Sequence, residues 1–131
     1  MSCILVVEDQ SDIRRLIRWS LDPEGYEIHE ASNGQTGLTG ASLVKPDLIL
    51  LDVMMPGEID GLEVCRRVKA DPEYGRPLVL LLSALARKRD CEAGIAAGAD
   101  AYLSKPFSPA QLVQQVESLL KSRQPAWTSG A

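Results

Sequence analysis

Leu48-Ile49-Leu50-Leu51, closed by Asp52, is the stretch that decides the fold. Four aliphatic side chains in a row leave no polar face, which is how a strand reads when helices cover both sides of its sheet. Ile4-Leu5-Val6-Val7 and Leu78-Val79-Leu80-Leu81-Leu82 repeat the pattern. Working outward, the strands expected are Cys3–Val7, Tyr26–Ala31, Asp47–Leu51, Leu78–Leu82 and Ala101–Ser104. Segments of helical period separate them, and strands alternating with helices build βαβ units around a parallel sheet.

Ile13, Leu16, Ile17, Ser20 and Leu21 recur at the spacing of one helix face, with Arg14, Arg15 and Arg18 on the others. Ser108-Pro109-Ala110-Gln111 offers an N-cap, a first-turn proline and a capping-box glutamine ahead of Leu112, Val113, Val116, Leu119 and Leu120. Gly61 to Asp71 forms a third helix, and Arg87 to Ala97 a weaker one. The segment Asn33 to Val44 carries Gly34, Gly37 and Gly40, each costing up to about 1 kcal/mol against alanine, so this helix is expected to be loose.

The 131 residues suffice for one domain with a proper core, expected over 1–122, and the residues from 123 to 131 have the composition of a flexible tail in which Trp127 is incidental. Fourteen Lys and Arg against eighteen Asp and Glu give a net charge of −4, with no positive field to recruit nucleic acid or an anionic membrane. The apolar run from Leu78 to Ala86 is far short of the roughly 20 residues that span a bilayer. No basic leader precedes Ile4, so secretion is not expected. Cys3, Cys65 and Cys91 are odd in number and scattered, as expected of reduced cytoplasmic thiols that serve in packing.

In an open parallel sheet, ligands gather beyond the carboxyl ends of the strands. The residues there are Glu8 and Asp9 after strand one, Asp52 after strand three, Ser83 after strand four and Lys105-Pro106 after strand five. Each is unremarkable alone, since an acidic pair after a strand is commonly a solvated turn or a favourable helix start. Their joint placement points to a metal and phosphate site. Clustered carboxylates resist joint ionisation unless a cation joins them, and an all-oxygen site suits Mg²⁺, with Mn²⁺ as a substitute. Asp9 and Asp52 are the expected direct ligands, with Glu8 acting through water and the Met54 backbone carbonyl as third protein ligand. Asp52 is also the expected nucleophile toward phosphorus, Lys105 a cation and Ser83 a hydroxyl donor for the transferred group.

Val6-Val7-Glu8-Asp9, Leu50-Leu51-Asp52-Val53-Met54-Met55-Pro56-Gly57, Leu81-Leu82-Ser83-Ala84 and Tyr102-Leu103-Ser104-Lys105-Pro106-Phe107 resemble the four signature blocks of response-regulator receiver domains, in order, across about Ile4 to Lys121. The resemblance implies a flavodoxin-like α/β fold, a doubly wound five-stranded parallel sheet of order 2-1-3-4-5 with five helices, and a cis Lys105–Pro106 bond. It implies a two-component signalling switch rather than a turnover enzyme, cytoplasmic, that takes a phosphoryl group onto Asp52 from a histidine kinase or histidine phosphotransfer protein. Ser83 and Tyr102 would couple the site to a partner surface on helix four, strand five and helix five. That surface would be read by a downstream protein, by a missing output domain, or by a second copy in a phosphorylation-dependent homodimer. Met54 and Leu85 occupy the positions that flank the approach of hydrolytic water, and their apolar side chains imply slow self-dephosphorylation. One departure is an extra residue before Asp60-Gly61, which puts Glu58 near the site mouth as a solvated loop carboxylate.

Two rivals fit less well. A dehalogenase-like phosphatase needs an aspartate two residues after the nucleophile, where this chain has Met54. A flavodoxin binding flavin would want a hydroxyl- and glycine-rich loop where Glu8-Asp9 would repel phosphate. The chain also reads as a receiver cut from a longer regulator.

Overall fold

The computed structural model describes residues 2–84 and 88–123. Five strands, β1 (Cys3–Val7), β2 (Glu27–Ala31), β3 (Leu48–Asp52), β4 (Leu78–Ser83) and β5 (Ala101–Ser104), alternate with helices α1 (Ser11–Leu21), α2 (Gly34–Val44), α3 (Gly61–Ala70), α4 (Lys88–Ala96) and α5 (Pro109–Arg123). The strands form one parallel sheet in the order β2-β1-β3-β4-β5. This is the flavodoxin-like arrangement that the resemblance implied.

The unbroken aliphatic runs are explained by two cores. Ile4, Val6, Leu48, Leu50, Leu80 and Leu82 pack on one face with Ile17 and Leu21 of α1 and Leu112 and Val116 of α5. Leu5, Val7, Ile49, Leu51, Val79 and Leu81 point the other way, onto Leu38 and Ala41 of α2 and Val64 and Val68 of α3. Alternate residues of one strand therefore serve opposite layers.

The boundaries differ from expectation where side chains take over from the ladder. β2 begins at Glu27 rather than Tyr26, and β3 runs one residue later than expected at each end. Asp47 sits at the lower rim, where its carboxylate accepts the Cys3 amide at 2.8 Å. Asp52 pairs with Leu82, so its carboxylate is carried by the sheet itself rather than by a loop. β4 likewise extends through Ser83. Helix α5 forms the expected capping box, with Ser108 N–H donating to Gln111 Oε1 at 2.9 Å and Gln111 N–H to Ser108 Oγ at 3.1 Å. It continues through Arg123, one residue past the expected domain end. The rest of the expected tail, with Trp127, lies outside the described residues, as do Leu85 and Arg87.

The helix α2 is continuous over eleven residues despite its glycines, and Asn33 caps it by accepting the Thr36 amide at 2.9 Å. A Cβ on Gly37 would stand 2.9 Å from Val7 Cγ1, and one on Gly34 would overlap the Ile59 carbonyl. Those two glycines let the helix lie against its neighbours. The close contact they permit works against their propensity cost.

Candidate functional site

At the carboxyl edge of the sheet, the ends of β1, β3, β4 and β5 bring together the residues expected there. Glu8 is fully buried, Asp52 is 3% exposed and Ser83 is 1% exposed, while Asp9 is half-buried at the opening. Carboxylate oxygens of Glu8, Asp9 and Asp52 all lie within 4.8 Å of one another. Lys105 reaches in from beyond β5, its Nζ 2.6 Å from Glu8 Oε1 and 3.3 Å from Asp52 Oδ1. The Lys105–Pro106 bond is cis, and the Lys105 amide donates to the Ser83 carbonyl at 2.7 Å, which ties the residue to the end of β4.

Packing fixes these positions. The Met54 amide donates to Asp52 Oδ1 at 3.2 Å, and the Val53 amide to the Leu82 carbonyl at 3.0 Å. Helix α3 starts against this turn, with Gly61 N–H donating to the Val53 carbonyl at 3.1 Å. A Cβ on Gly61 would collide with the Asp52 carbonyl and stand 2.7 Å from Val53 Cα, so only glycine permits the approach. Asp60 caps the helix by accepting the Glu63 amide at 2.9 Å.

The electrostatics are those of a site with too much negative charge. Burial foremost, then hydrogen bonding and repulsion from Glu8 and the hydrogen bond with Asp9, push Asp52 from 3.8 up to about 7, against the pull of Lys105. Asp9 moves the other way. Burial acts to raise it but is outweighed by hydrogen bonds with Glu8 and Asp52, its own backbone and the Lys105 charge. Burial also works against the Lys105 ammonium, yet the bond to Glu8 and the charge of Asp52 hold its proton more firmly than usual. A single ammonium among three carboxylates leaves a net negative pocket lined by hard oxygen donors. That donor set fits a small divalent cation retaining water, Mg²⁺ or Mn²⁺, with Asp9 at the opening and Asp52 beside it.

Two features were not read from sequence. Glu8 was expected to meet the cation through water, and the structure gives it a buried ion pair with Lys105. Arg14, read only as lying off the buried face, donates from Nη1 to the Glu8 carbonyl at 2.7 Å and the Asp9 carbonyl at 3.3 Å, with its Nε 3.3 Å from Glu30 Oε1. It clamps the acidic turn. A cation so near a helix N-terminus opposes the dipole, and that conflict was the available signal.

The remaining expected residues are placed as follows. Tyr102 is half-buried on β5, its ring approaching Gly94 of α4 beside a cavity of about 140 Å³ lined also by Cys91, Ile95 and Ala99. Met54 is 59% exposed above the site. Glu58 shares an open groove with Asp9, Asn33 and Pro56, near the mouth as expected. All three cysteines are free, Cys65 buried and the other two half-buried. Among the described residues no helix is long and apolar enough to cross a membrane.

A doubly wound parallel sheet with an acidic pocket and a lysine at its strand ends defines an α/β module whose ligand site lies at the carboxyl edge of the sheet. The response regulator receiver domain model matches residues 4–117, and the chain belongs to that family, the signalling switches of two-component systems. It is 44% identical over 118 residues to the transcriptional regulatory protein ResD of Bacillus subtilis, covering 90% of this chain and 48% of that protein. It is 40% identical, over the same shares, to the alkaline phosphatase synthesis transcriptional regulatory protein PhoP of that organism. The chain spans about half the length of the curated relatives it matches. Among solved structures, the chemotaxis protein CheY4 of Vibrio cholerae superposes with a TM-score of 0.84 at 30% identity, covering 91% of this chain and 98% of that one. The signal receiver domain of a histidine kinase from Syntrophus aciditrophicus gives 0.84 at 34% identity, covering 96% of each.

Proposed function

We propose that Asp52 accepts a phosphoryl group from a histidine kinase or histidine phosphotransfer protein, and that the modified site changes the surface formed by α4, β5 and α5. The observation that carries this is the Asp52 carboxylate itself, buried at a strand end within 4.8 Å of two further carboxylates and 3.3 Å from Lys105. An Asp52 oxygen attacks phosphorus, the bond from phosphorus to the donor nitrogen breaks, and the donor histidine leaves with the electron pair. Asp9, Asp52 and the Met54 carbonyl, with Glu8 acting through water, would hold Mg²⁺, which would supply positive charge against the incoming dianion. Lys105 contributes a fixed positive charge, and the Ser83 hydroxyl donates to a phosphoryl oxygen.

Transmission requires a bistable element between site and surface. Ser83 ends β4 and Tyr102 lies across the ladder on β5, where Leu81 pairs with Tyr102 and Ser83 with Ser104. Movement of Ser83 toward the phosphoryl group frees room that the Tyr102 ring takes up, with the cavity beside α4 as its alternative space. The reader of the surface is a downstream protein, an output domain of a longer regulator, or a second copy of the chain, in the cytoplasm. Residues 1–122 constitute the switching module, and the net charge of −4 argues against direct contact with nucleic acid.

Incubation with acetyl phosphate and Mg²⁺, followed by intact-mass measurement, should add one phosphoryl group. EDTA or Asp52→Asn should abolish the addition, and an unchanged rate in the Asp52→Asn protein would remove the central claim. Ser83→Ala should still be phosphorylated but should lose the spectral response of Tyr102.

A further inference from the structure

The opposite edge of the sheet carries a second group of ligands unrelated to the phosphoacceptor site. Cys3 and Glu27 are directly paired across β1 and β2, and parallel partners project to the same face. His29, two residues on from Glu27, returns to that face. One donor atom from each of Cys3, Glu27 and His29 lies within 4.8 Å of the other two, and His29 Nε2 already stands 2.8 Å from Glu27 Oε2. β2 is an edge strand, so the group is open to solvent on one side, with Cys3 and His29 half-buried and Glu27 exposed.

We propose that Cys3, Glu27 and His29 form a binding site for Zn²⁺, with solvent in a fourth position. The donors are one thiolate, one imidazole and one carboxylate, each a normal zinc ligand. In a tetrahedral zinc site donors stand about 3.4–3.8 Å apart, so small side-chain rotations close the group onto an ion. The backbone already holds the three ligands in place. The group also separates from the acidic pocket by chemistry and by distance. From Cys3 to Glu8 is five residues of strand, about 16 Å at roughly 3.3 Å per residue. Mg²⁺ prefers the all-oxygen pocket, whereas sulfur and nitrogen donors select a borderline-soft ion such as Zn²⁺.

Ion binding would displace the thiol proton to solvent and join the thiolate and the Glu27 carboxylate through one cation. The bound ion would pin edge strand β2 to β1.

The test uses the reduced full chain, stripped with EDTA, dialysed, and held in excess Mg²⁺ to occupy the acidic pocket. Co²⁺ is the spectroscopic probe. One equivalent should give a near-ultraviolet thiolate-to-cobalt band with tetrahedral visible bands, and one equivalent of Zn²⁺ should bleach both. The band should survive in Asp52→Asn and Cys91→Ser but be lost in Cys3→Ser. Histidine 29 is part-exposed, so His29→Gln tests the site without a folding risk and should weaken Zn²⁺ by more than the roughly 10–100-fold that loss of an outer-shell partner costs. Absence of the thiolate band in wild type, its persistence in Cys3→Ser, or unchanged Zn²⁺ affinity in His29→Gln would each overturn the proposal.

Discussion

Replacing Asp52 by Asn should stabilise the metal-free protein, and the gain should depend on pH. Asp52 ionises near 3.8 in an unfolded chain and near 7 when folded, raised by burial first and then by Glu8 and Asp9. At about 1.4 kcal/mol per tenfold change in an ionisation constant, carrying the ionised carboxylate in the folded state costs about 4 kcal/mol. Below about pH 4 both states are protonated and the cost is absent. Between 4 and 7 the unfolded state gives up its proton first, so stability falls as pH rises, and the full cost applies above 7. Asn cannot ionise and keeps an oxygen for the Met54 amide, now 3.2 Å from Asp52 Oδ1. The Lys105 ammonium loses its 3.3 Å partner but keeps Glu8 at 2.6 Å. The expected gain at pH 8 in EDTA is therefore about 2–4 kcal/mol, shrinking toward zero near pH 4. Urea unfolding of both proteins at the two pH values, followed by circular dichroism, measures it. An Asn variant no more stable than wild type at pH 8, or a gain equal at both pH values, would refute the reasoning. Added Mg²⁺ should narrow the gap by stabilising wild type alone.

Mg²⁺ affinity, followed by calorimetry, should be nearly flat above pH 7 and fall about tenfold per pH unit below it, since the proton on Asp52 must leave first; a flat profile down to pH 5 would contradict the assignment. Lys105→Ala leaves Glu8 buried without its cation and should cost about 3–5 kcal/mol in urea unfolding at neutral pH. Gly37→Ala and Gly40→Ala should have opposite signs. The first places a Cβ 2.9 Å from Val7 and should destabilise by about 1–3 kcal/mol, while the second meets Leu5 at an ordinary 3.5 Å and should stabilise by up to about 1 kcal/mol. If water exclusion by apolar side chains sets the lifetime of the phosphorylated state, Met54→Asn and Leu85→Glu should each speed its decay in Mg²⁺, measured by mass; equal decay in all three proteins would exclude that cause.

The order of the strands came from the resemblance to receiver domains, whereas the parallel sheet and the meeting of Glu8, Asp9, Asp52, Ser83 and Lys105 at one edge were legible because two strong rules act on the sequence. Unbroken aliphatic runs mark strands covered on both sides, and ligands gather at strand carboxyl ends. What was less legible depends on partners distant in sequence. The glycines of α2 read as defects until Val7 and Ile59 are seen against them. Arg14 reads as a surface charge until the carbonyls of Glu8 and Asp9 are found within its reach. The Cys3, Glu27 and His29 group is invisible to spacing rules because it is assembled by register across two strands.

The tight seating of Gly61 on Asp52 and Val53 has a consequence for how this module tolerates change. The residues between Val53 and Gly61 form a loop whose two ends are pinned by the Gly61–Val53 hydrogen bond and whose third anchor is Ile59, packed with its carbonyl against Gly34. Pro56, Gly57 and Glu58 stand outside those anchors, exposed. Lengthening the chain there leaves both ends of the loop where they are, and each doubling of a flexible loop adds only about 0.6 kcal/mol of closure entropy. The position is thus a natural port for grafting a peptide or a reporter tag beside the pocket, whereas a single added residue between Ile59 and Gly61 would lift α3 off the strand that carries Asp52.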